Sequence, residues 1–171
     1  DYQQGLSNSA VLCLYQDKAG LMWVGTYDGV NCYDGKGIEV FRSDFSMKKT
    51  LSNNVIHSIQ QADSSCLWIT THLGVNRFSQ DSRQVVGYYD FTGDYYLHSN
   101  PKGDTWVVSD EGIFYYNTYH KKFVHLKNIE TPVENMDQRA FVTDDGVLWT
   151  FPRNTGSLIQ CSLDGFDRDT L

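Results

Sequence analysis

Four tryptophans divide this chain into units of about forty residues. Trp23, Trp68, Trp106 and Trp149 are separated by 45, 38 and 43 residues. The amino-acid sequence around the first two tryptophans nearly repeats. Leu6-Ser7-Asn8 before Trp23 recurs as Leu51-Ser52-Asn53 before Trp68, and Gly29-Val30-Asn31 recurs as Gly74-Val75-Asn76. A period of roughly 20–50 residues is typical of propellers, solenoids and repeat arrays.

Two glycines stand at fixed distances from the tryptophans. Gly20, Gly103 and Gly146 lie three residues before a tryptophan, and Ser65 takes that place in the second unit. Gly29, Gly74 and Gly112 lie six residues after a tryptophan. Turns between strands need backbone conformations with positive φ that glycine adopts most easily. The offsets therefore predict that a hairpin turn lies on each side of the tryptophan strand.

Short β-prone runs separated by these turns give each unit the same order. The first unit predicts strands at Val11–Gln16, 21–26, 30–33 and 38–42. The predicted strands of the later units are 56–60, 67–71, 75–78, 85–89, 95–98, Thr105–Ser109, 113–116, 123–126, 140–143, 147–151 and 158–161. The fourth unit thus lacks its last strand.

A four-stranded antiparallel sheet repeated along the chain is the blade of a β-propeller. We therefore predict an all-β fold, with about four blades in one partial propeller over residues 1–171. The expected blades are 5–44, 51–90, 93–127 and 138–165. Because the tryptophan recurs in the middle of the second strand and not in loops, we expect it to pack between neighbouring blades rather than to stack on sugars.

Composition excludes several classes of function. The net charge is −7, which argues against nucleic-acid binding through a basic surface. No stretch approaches the 18 or so apolar residues of a membrane span, so we expect no membrane contact by this segment.

The four cysteines lack zinc-ligand spacing and are expected to be free thiols. Cys13 and Cys32 would lie two strands apart, roughly 9–10 Å, too far for a disulfide.

No pattern of catalytic residues is present. The five histidines have no metal-ligand spacing on one strand face, and the sequences typical of serine hydrolases, zinc proteases and phosphate-binding loops are absent. We expect no catalytic residue, metal or cofactor in this segment.

A ligand would bind where the loops between second and third strands meet the segments entering each first strand. The candidates for ligand contact are Tyr27, Asp28, His72, Asp110, Glu111, Arg153 and Asn154. Entering segments add Asn8, Asn53, Asn54, Tyr95 and Tyr96 to the same face. Aromatic, amide and acidic groups suit a sugar, while the alternative is that polar residues simply fill turns. Asn8, Asn53 and Asn54 are expected to cap loop backbone.

The motifs around the first two tryptophans resemble the two-component regulator propeller repeat. The resemblance lies in the Leu-Ser-Asn sequence, the tryptophan strand and the glycine that follows it. It is strong over residues 5–80 and weaker beyond. The departures from the repeat pattern are Thr70, where glycine is favoured, Ser65 in a turn position, and the eroded third and fourth units. The matching stretches are Gly5-Leu6-Ser7-Asn8-Ser9, Leu21-Met22-Trp23-Val24-Gly25-Thr26, Leu51-Ser52-Asn53-Asn54, Leu67-Trp68-Ile69-Thr70-Thr71 and Leu73-Gly74-Val75-Asn76-Arg77-Phe78.

This resemblance implies the periplasmic sensor of a hybrid two-component histidine kinase of the Bacteroidetes type. Such sensors are built from seven-bladed propellers and sense glycan breakdown products. The segment would then be the N-terminal part of the sensor, just after a signal peptide, with a kinase domain elsewhere in the parent protein. An oligosaccharide is the implied ligand, and the segment itself is not expected to be an enzyme.

Two alternatives of another class stay open. The chain could be a propeller scaffold for protein–protein contact. It could also be a propeller enzyme, either a lyase or a glycosidase, that acts on carbohydrate.

Four blades also leave an unpaired edge and open faces, which are association sites. We expect the remaining blades of a longer chain, or a second copy in a homodimer, to cover them.

Overall fold

The structure of this protein is a computed structural model, which describes residues 5–109, 111–126, 140–150 and 159–163. The described residues form fifteen strands and no helix. They belong to two compact units, 1–92 and 93–171. Each unit holds two antiparallel sheets, which we call blades 1 and 2 in the first unit and blades 3 and 4 in the second.

The first unit contains eight strands, and each blade pairs its strands in chain order. Blade 1 is β1–β4 and blade 2 is β5–β8. Their bounds are β1 Val11–Gln16, β2 Met22–Thr26, β3 Gly29–Tyr33, β4 Ile38–Phe41, β5 Ile56–Gln61, β6 Cys66–Thr71, β7 Gly74–Ser79 and β8 Gln84–Asp90. The strands predicted from sequence are confirmed here, to within one or two residues at each end.

The second unit contains seven strands. Blade 3 has four strands, and blade 4 has three in the described part of the chain. Their bounds are β9 Tyr95–Ser99, β10 Thr105–Ser109, β11 Gly112–Asn117, β12 Lys122–His125, β13 Ala140–Val142, β14 Val147–Thr150 and β15 Ile159–Ser162. The degenerate third and fourth repeats therefore keep the strand order of the first two.

The core of the first unit lies between its two blades. Trp23 of blade 1 is fully buried and packs edge to face on Phe78 of blade 2, with ring centroids 5.7 Å apart. Arg83 of blade 2 places its guanidinium carbon 5.4 Å from the centroid of the Trp23 ring. A buried tryptophan removes roughly 150–250 Å² from water, so the predicted packing of this residue between blades is confirmed and dominates the interface.

Gly25, two residues after Trp23, allows the blades to approach closely. A Cβ at this position would lie 2.4 Å from Cys13 Sγ and 2.6 Å from Ile56 Cγ2. In blade 2 the same position is Thr70, whose hydroxyl lies 2.7 Å from that of Ser58. In blade 2 the hydroxyl pair of Ser58 and Thr70 therefore occupies the place that Cys13 and Gly25 have in blade 1.

The core of the second unit also surrounds a tryptophan. Trp106 of blade 3 is clustered with Val142, Leu148 and Leu163 of blade 4. His98, across from Trp106 on β9, stacks on its ring at 6.2 Å. The second-strand tryptophan thus packs on the following blade in this unit too.

The first hairpin turn of blade 2 differs from the prediction. Gly20, Gly103 and Gly146 have φ between 80° and 90°, as expected. Ser65 does not share this conformation, since positive φ outside glycine occurs among the described residues only at Lys49, Arg83 and Lys121. Instead, Asp63 Oδ1 accepts hydrogen bonds from the backbone N–H groups of Ser65 and Cys66, at 2.9 and 3.0 Å. This carboxylate closes the turn without a left-handed residue.

Candidate functional site

A hydrogen-bonded triad fixes the segment that enters blade 1. The amide oxygen of Asn31 accepts from Ser7 N–H at 2.8 Å, and its amide nitrogen donates to Ser7 Oγ at 2.8 Å. Ser7 Oγ also lies 2.9 Å from Thr26 Oγ1. Asn31 and Thr26 are fully buried, so the entering segment is locked to the hairpin between β2 and β3.

The same triad recurs in blade 2 with every member shifted by 45 residues. Asn76 accepts from Ser52 N–H at 3.0 Å and donates to Ser52 Oγ at 2.9 Å. Ser52 Oγ lies 2.8 Å from Thr71 Oγ1. These residues appeared in the sequence only as parts of a repeat, and their shared spacing was the available signal. Their role is to position the loops of the candidate face.

Asparagines of the entering segments cap backbone, as expected. Asn8 Oδ1 accepts from Ala10 N–H and Asn53 Oδ1 from Val55 N–H, both at 2.8 Å. Asn54 Oδ1 accepts from Ser43 N–H at 2.7 Å.

The hairpin between β2 and β3 presents Tyr27 and Asp28. The Tyr27 side chain is 54% exposed. The Asp28 carboxylate accepts from Arg42 Nε and Nη2 at 3.1 and 3.0 Å through one oxygen, and its other oxygen lies 3.5 Å from Asn54 Nδ2. Arg42, which sequence reasoning missed, thus partly neutralises Asp28 and adds guanidinium donors to this surface.

Two successive carbonyls join this hairpin to the hairpin of blade 2. Asn54 O accepts from Gly29 N–H at 2.8 Å, and Val55 O accepts from His72 N–H at 3.2 Å. The His72 ring is exposed and lies edge to face with His57 at 6.0 Å. The hairpin that carries Tyr27 and Asp28 and the backbone of His72 therefore both bind the same entering segment, through Asn54 and Val55.

The candidates of the second unit form a less complete set. Glu111 is exposed, and its N–H donates to Ser109 Oγ at 3.3 Å. Asp110, Arg153 and Asn154 lie outside the described residues. Tyr95 is buried and Tyr96 packs against the core of this unit, and burial raises the pKa of the Tyr96 phenol. Both tyrosines are packing residues, which corrects their assignment to the ligand face.

The chemistry available on the first unit is hydrogen bonding and stacking. Tyr27 offers a ring face and a hydroxyl, Asp28 and Arg42 offer acceptors and donors, and His72 offers both. Within the described ranges, no three His, Cys, Asp or Glu side chains come together as metal ligands. The same part of the chain contains no helix long and apolar enough to cross a membrane.

Comparison with known families supports the repeat. Residues 5–28 match the model described as two component regulator propeller. This segment of the chain is therefore similar to a two component regulator propeller repeat. Over 40 residues it is also 48% identical to a histidine kinase P4 of Formosa agariphila, a match that spans 23% of this chain and 3% of the relative.

Solved structures share the all-β propeller fold. The extracellular domain of a putative hybrid two component system from B. thetaiotaomicron aligns with a TM-score of 0.75 and 25% identity, over 97% of this chain and 25% of that one. The WD40 β-propeller domain of Doa1 aligns with a TM-score of 0.66 and 11% identity, over 96% of this chain and 54% of that one, and shows the fold alone. The chain is therefore an all-β, incomplete propeller, a quarter of the length of the first neighbour.

Proposed function

We propose that this chain is the N-terminal part of the periplasmic sensor region of a hybrid two-component histidine kinase. The observation that carries the proposal is the alignment of nearly the whole chain with an extracellular domain of a putative hybrid two component system. The local identity to a histidine kinase supports the same parent class. In this proposal the kinase domain belongs to another part of the parent protein, and the segment itself does no chemistry.

The ligand that we propose is an oligosaccharide released by glycan breakdown. In the first unit it would contact Tyr27, Asp28 and His72, and Arg42 would add donors beside Asp28. Sugars present ring faces and many hydroxyl groups, so an exposed aromatic ring next to a half-exposed ion pair suits them. Asp110, Glu111, Arg153 and Asn154 remain candidates for the second unit. The ion pair also keeps Asp28 oriented, so that less entropy is lost on binding.

A thermal-shift and calorimetry screen with purified oligosaccharides tests this proposal. A ligand that binds the native state raises apparent stability by RT ln(1 + [L]/Kd). For a sugar that binds, Tyr27→Ala should weaken affinity about tenfold, on the order of 1.4 kcal/mol. The matched control is Tyr119→Ala, which removes another exposed tyrosine, in the turn between β11 and β12, and should leave affinity unchanged.

The alternatives predict different results in the same screen. If no oligosaccharide shifts the melting temperature, the protein is better described as a scaffold for protein contact. If a glycan is consumed during incubation, the carbohydrate-active enzyme is the correct class. Equal loss of affinity in the Tyr27 and Tyr119 variants would move the binding site away from the candidate face.

A further inference from the structure

The second glycine of the repeat makes room for a side chain near the end of the fourth strand. A Cβ added at Gly29 would lie 3.1 Å from Arg42 Cγ, and one added at Gly74 would lie 3.1 Å from Tyr88 Cε2. Because glycine has no Cβ, the Arg42 and Tyr88 side chains cross directly over the hairpin between the second and third strands. We call a side chain in this position the crossing side chain of its blade.

Blade 3 has a crossing side chain of a third kind. A Cβ at Gly112 would lie 2.5 Å from Nε2 of His125, the last residue of β12. The glycine is thus the same in blades 1, 2 and 3, while the crossing side chain changes from arginine to tyrosine to histidine, and all three are exposed. The fold requires the space that glycine leaves but no single type of side chain in it. The position is therefore free to carry binding chemistry that differs between blades.

The crossing side chain of blade 2 is an aromatic ring held at two points. The Tyr88 hydroxyl donates a hydrogen bond of 2.7 Å to the carbonyl oxygen of Leu73, in the hairpin between β6 and β7. The ring edge lies over Gly74, and Tyr88 is still 49% exposed. Since the hydroxyl is bound to backbone, the ring face is the part of Tyr88 that is offered to a ligand. A ring fixed in this way loses little conformational entropy on binding.

His72 gives the same hairpin a hydrogen-bonding group. It precedes Leu73, whose carbonyl Tyr88 binds, and its ring is exposed. The hairpin of blade 2 therefore combines an aromatic face with an imidazole. Blade 1 combines the same two kinds of group at its hairpin, through the exposed ring of Tyr27 and the ion pair at Asp28.

We propose that the Tyr88 ring stacks on one sugar residue of the ligand and that His72 hydrogen-bonds to the hydroxyl groups of the same sugar. The hairpin of blade 2 is then a second sugar subsite, in addition to the one that Tyr27 provides in blade 1. This inference rests on the proposed function, since it takes an oligosaccharide as the ligand. A sugar ring has a face of C–H groups that packs on an aromatic face, and hydroxyl groups that need directed partners.

Isothermal titration calorimetry with the tetrasaccharides of cellulose, xylan, mannan, starch and pectin tests the inference. For a tetrasaccharide that binds the unmodified chain, Tyr88→Ala should weaken affinity about tenfold, because the stacking surface is lost. Tyr88→Phe keeps the ring and loses only the hydrogen bond to Leu73, so affinity should fall less than about threefold. Tyr33→Ala is the matched control, since Tyr33 is 43% exposed at the end of β3 far from the hairpin, and should bind normally.

The variants separate the two ways in which the inference can fail. Unchanged affinity in Tyr88→Ala would overturn it and leave the oligosaccharide ligand in place. Equal loss in Tyr88→Ala and Tyr88→Phe would also overturn it, since Tyr88 would then act only by closing the hairpin. If no tetrasaccharide binds the unmodified chain, the inference falls together with the proposed ligand.

His72→Ala is a second variant in case Tyr88→Ala does not fold, which urea unfolding reveals. It changes an exposed ring and leaves the backbone hydrogen bond from His72 N–H to Val55 O intact. Affinity for the same tetrasaccharide should fall about threefold. Unchanged affinity would remove His72 from the subsite and overturn the inference.

Discussion

The indole N–H of Trp23 donates a hydrogen bond of 2.8 Å to Oδ2 of Asp17. Both residues are buried. The same oxygen accepts from Gln80 Nε2 at 2.8 Å, and Oδ1 accepts from the backbone N–H groups of Ala19 and Leu21 at 3.0 and 2.9 Å. One carboxylate therefore closes the first hairpin turn, orients the tryptophan and joins the two blades of the first unit.

Removal of this carboxylate should be costly. Asp17→Ala leaves four donors without their acceptor, and each unsatisfied buried donor costs about 1–3 kcal/mol. Because water can reach some of them, we expect a loss of about 2–4 kcal/mol in the free energy of unfolding, measured by urea denaturation. Asp34→Ala is the control, since Asp34 also accepts two backbone N–H groups but in an exposed turn. A similar loss in both variants would contradict the importance of burial at Asp17.

The second glycine of the repeat should tolerate no side chain. Gly29 has φ of 107°, and a Cβ there would lie 2.3 Å from the carbonyl oxygen of Phe41. A non-glycine residue in the left-handed conformation costs about 1–2 kcal/mol by itself. Gly29→Ala should therefore lower the free energy of unfolding by more than this. Gly20→Ala separates the two effects, because Gly20 has φ of 86° and no atom within 4 Å of the added Cβ. Equal losses in thermal unfolding would mean that the close contact is relieved without cost.

Acid should destabilise the second unit through His98. Its Nε2 is buried without a hydrogen bond and lies 3.7 Å from Asp144 Oδ1. Burial lowers the pKa of His98, and Asp144 only partly opposes this shift. The unfolded chain therefore takes up the proton first as pH falls, so stability is full above the ordinary histidine pKa of about 6.5 and decreases below it.

Unfolding by urea at pH 7.5 and 5.5 measures this dependence. His98→Phe keeps an aromatic ring against Trp106 and should reduce the loss of stability at the lower pH. His120→Phe, in an exposed turn, should leave it unchanged. Greater stability of the unmodified protein at pH 5.5 than at pH 7.5 would show that the ion pair with Asp144 outweighs burial.

Three of the four cysteines should be unreactive in the native protein. Cys13, Cys32 and Cys66 are free, and burial raises the pKa of all three thiols, to about 11 for Cys13. Since the thiolate is the reactive form, we expect maleimide labelling of these residues at pH 7.5 to be slow until urea unfolds the chain. Mass spectrometry of proteolytic fragments identifies the labelled residues, and fast native labelling of Cys13 would contradict its burial against Gly25.

Strand order could be predicted from sequence because it depends on local signals. Tryptophan, glycine and turn residues at fixed offsets specify β1 to β15 even where the repeat is degenerate. The hydrogen bond between Gln80 and Asp17 could not be predicted, since it joins residues 63 apart and exists only when two blades pack.

The candidate face was predictable in outline but not in detail. The exposure of Tyr27, Asp28 and His72 was predictable because polar residues in hairpins face solvent, whereas their contact with a ligand stays a prediction. Arg42 was missed because its pairing with Asp28 needs β4 to lie beside β3, and Tyr95 was misplaced because a tyrosine at a strand start can point inward as well as outward. The position of Ser65 in the repeat predicts positive φ, but the hydrogen bonds of Asp63 form a different turn.

The segment between blades 1 and 2 has a mechanical consequence. Successive carbonyls of Asn54 and Val55 hold the hairpin at Gly29 and the hairpin at His72. Consecutive Cα atoms across a trans peptide are about 3.8 Å apart. The covalent geometry of one peptide unit therefore fixes the spacing of the two carbonyls that bind the hairpins. A force that displaces one hairpin is transmitted to the other through covalent geometry rather than through compliant side chains.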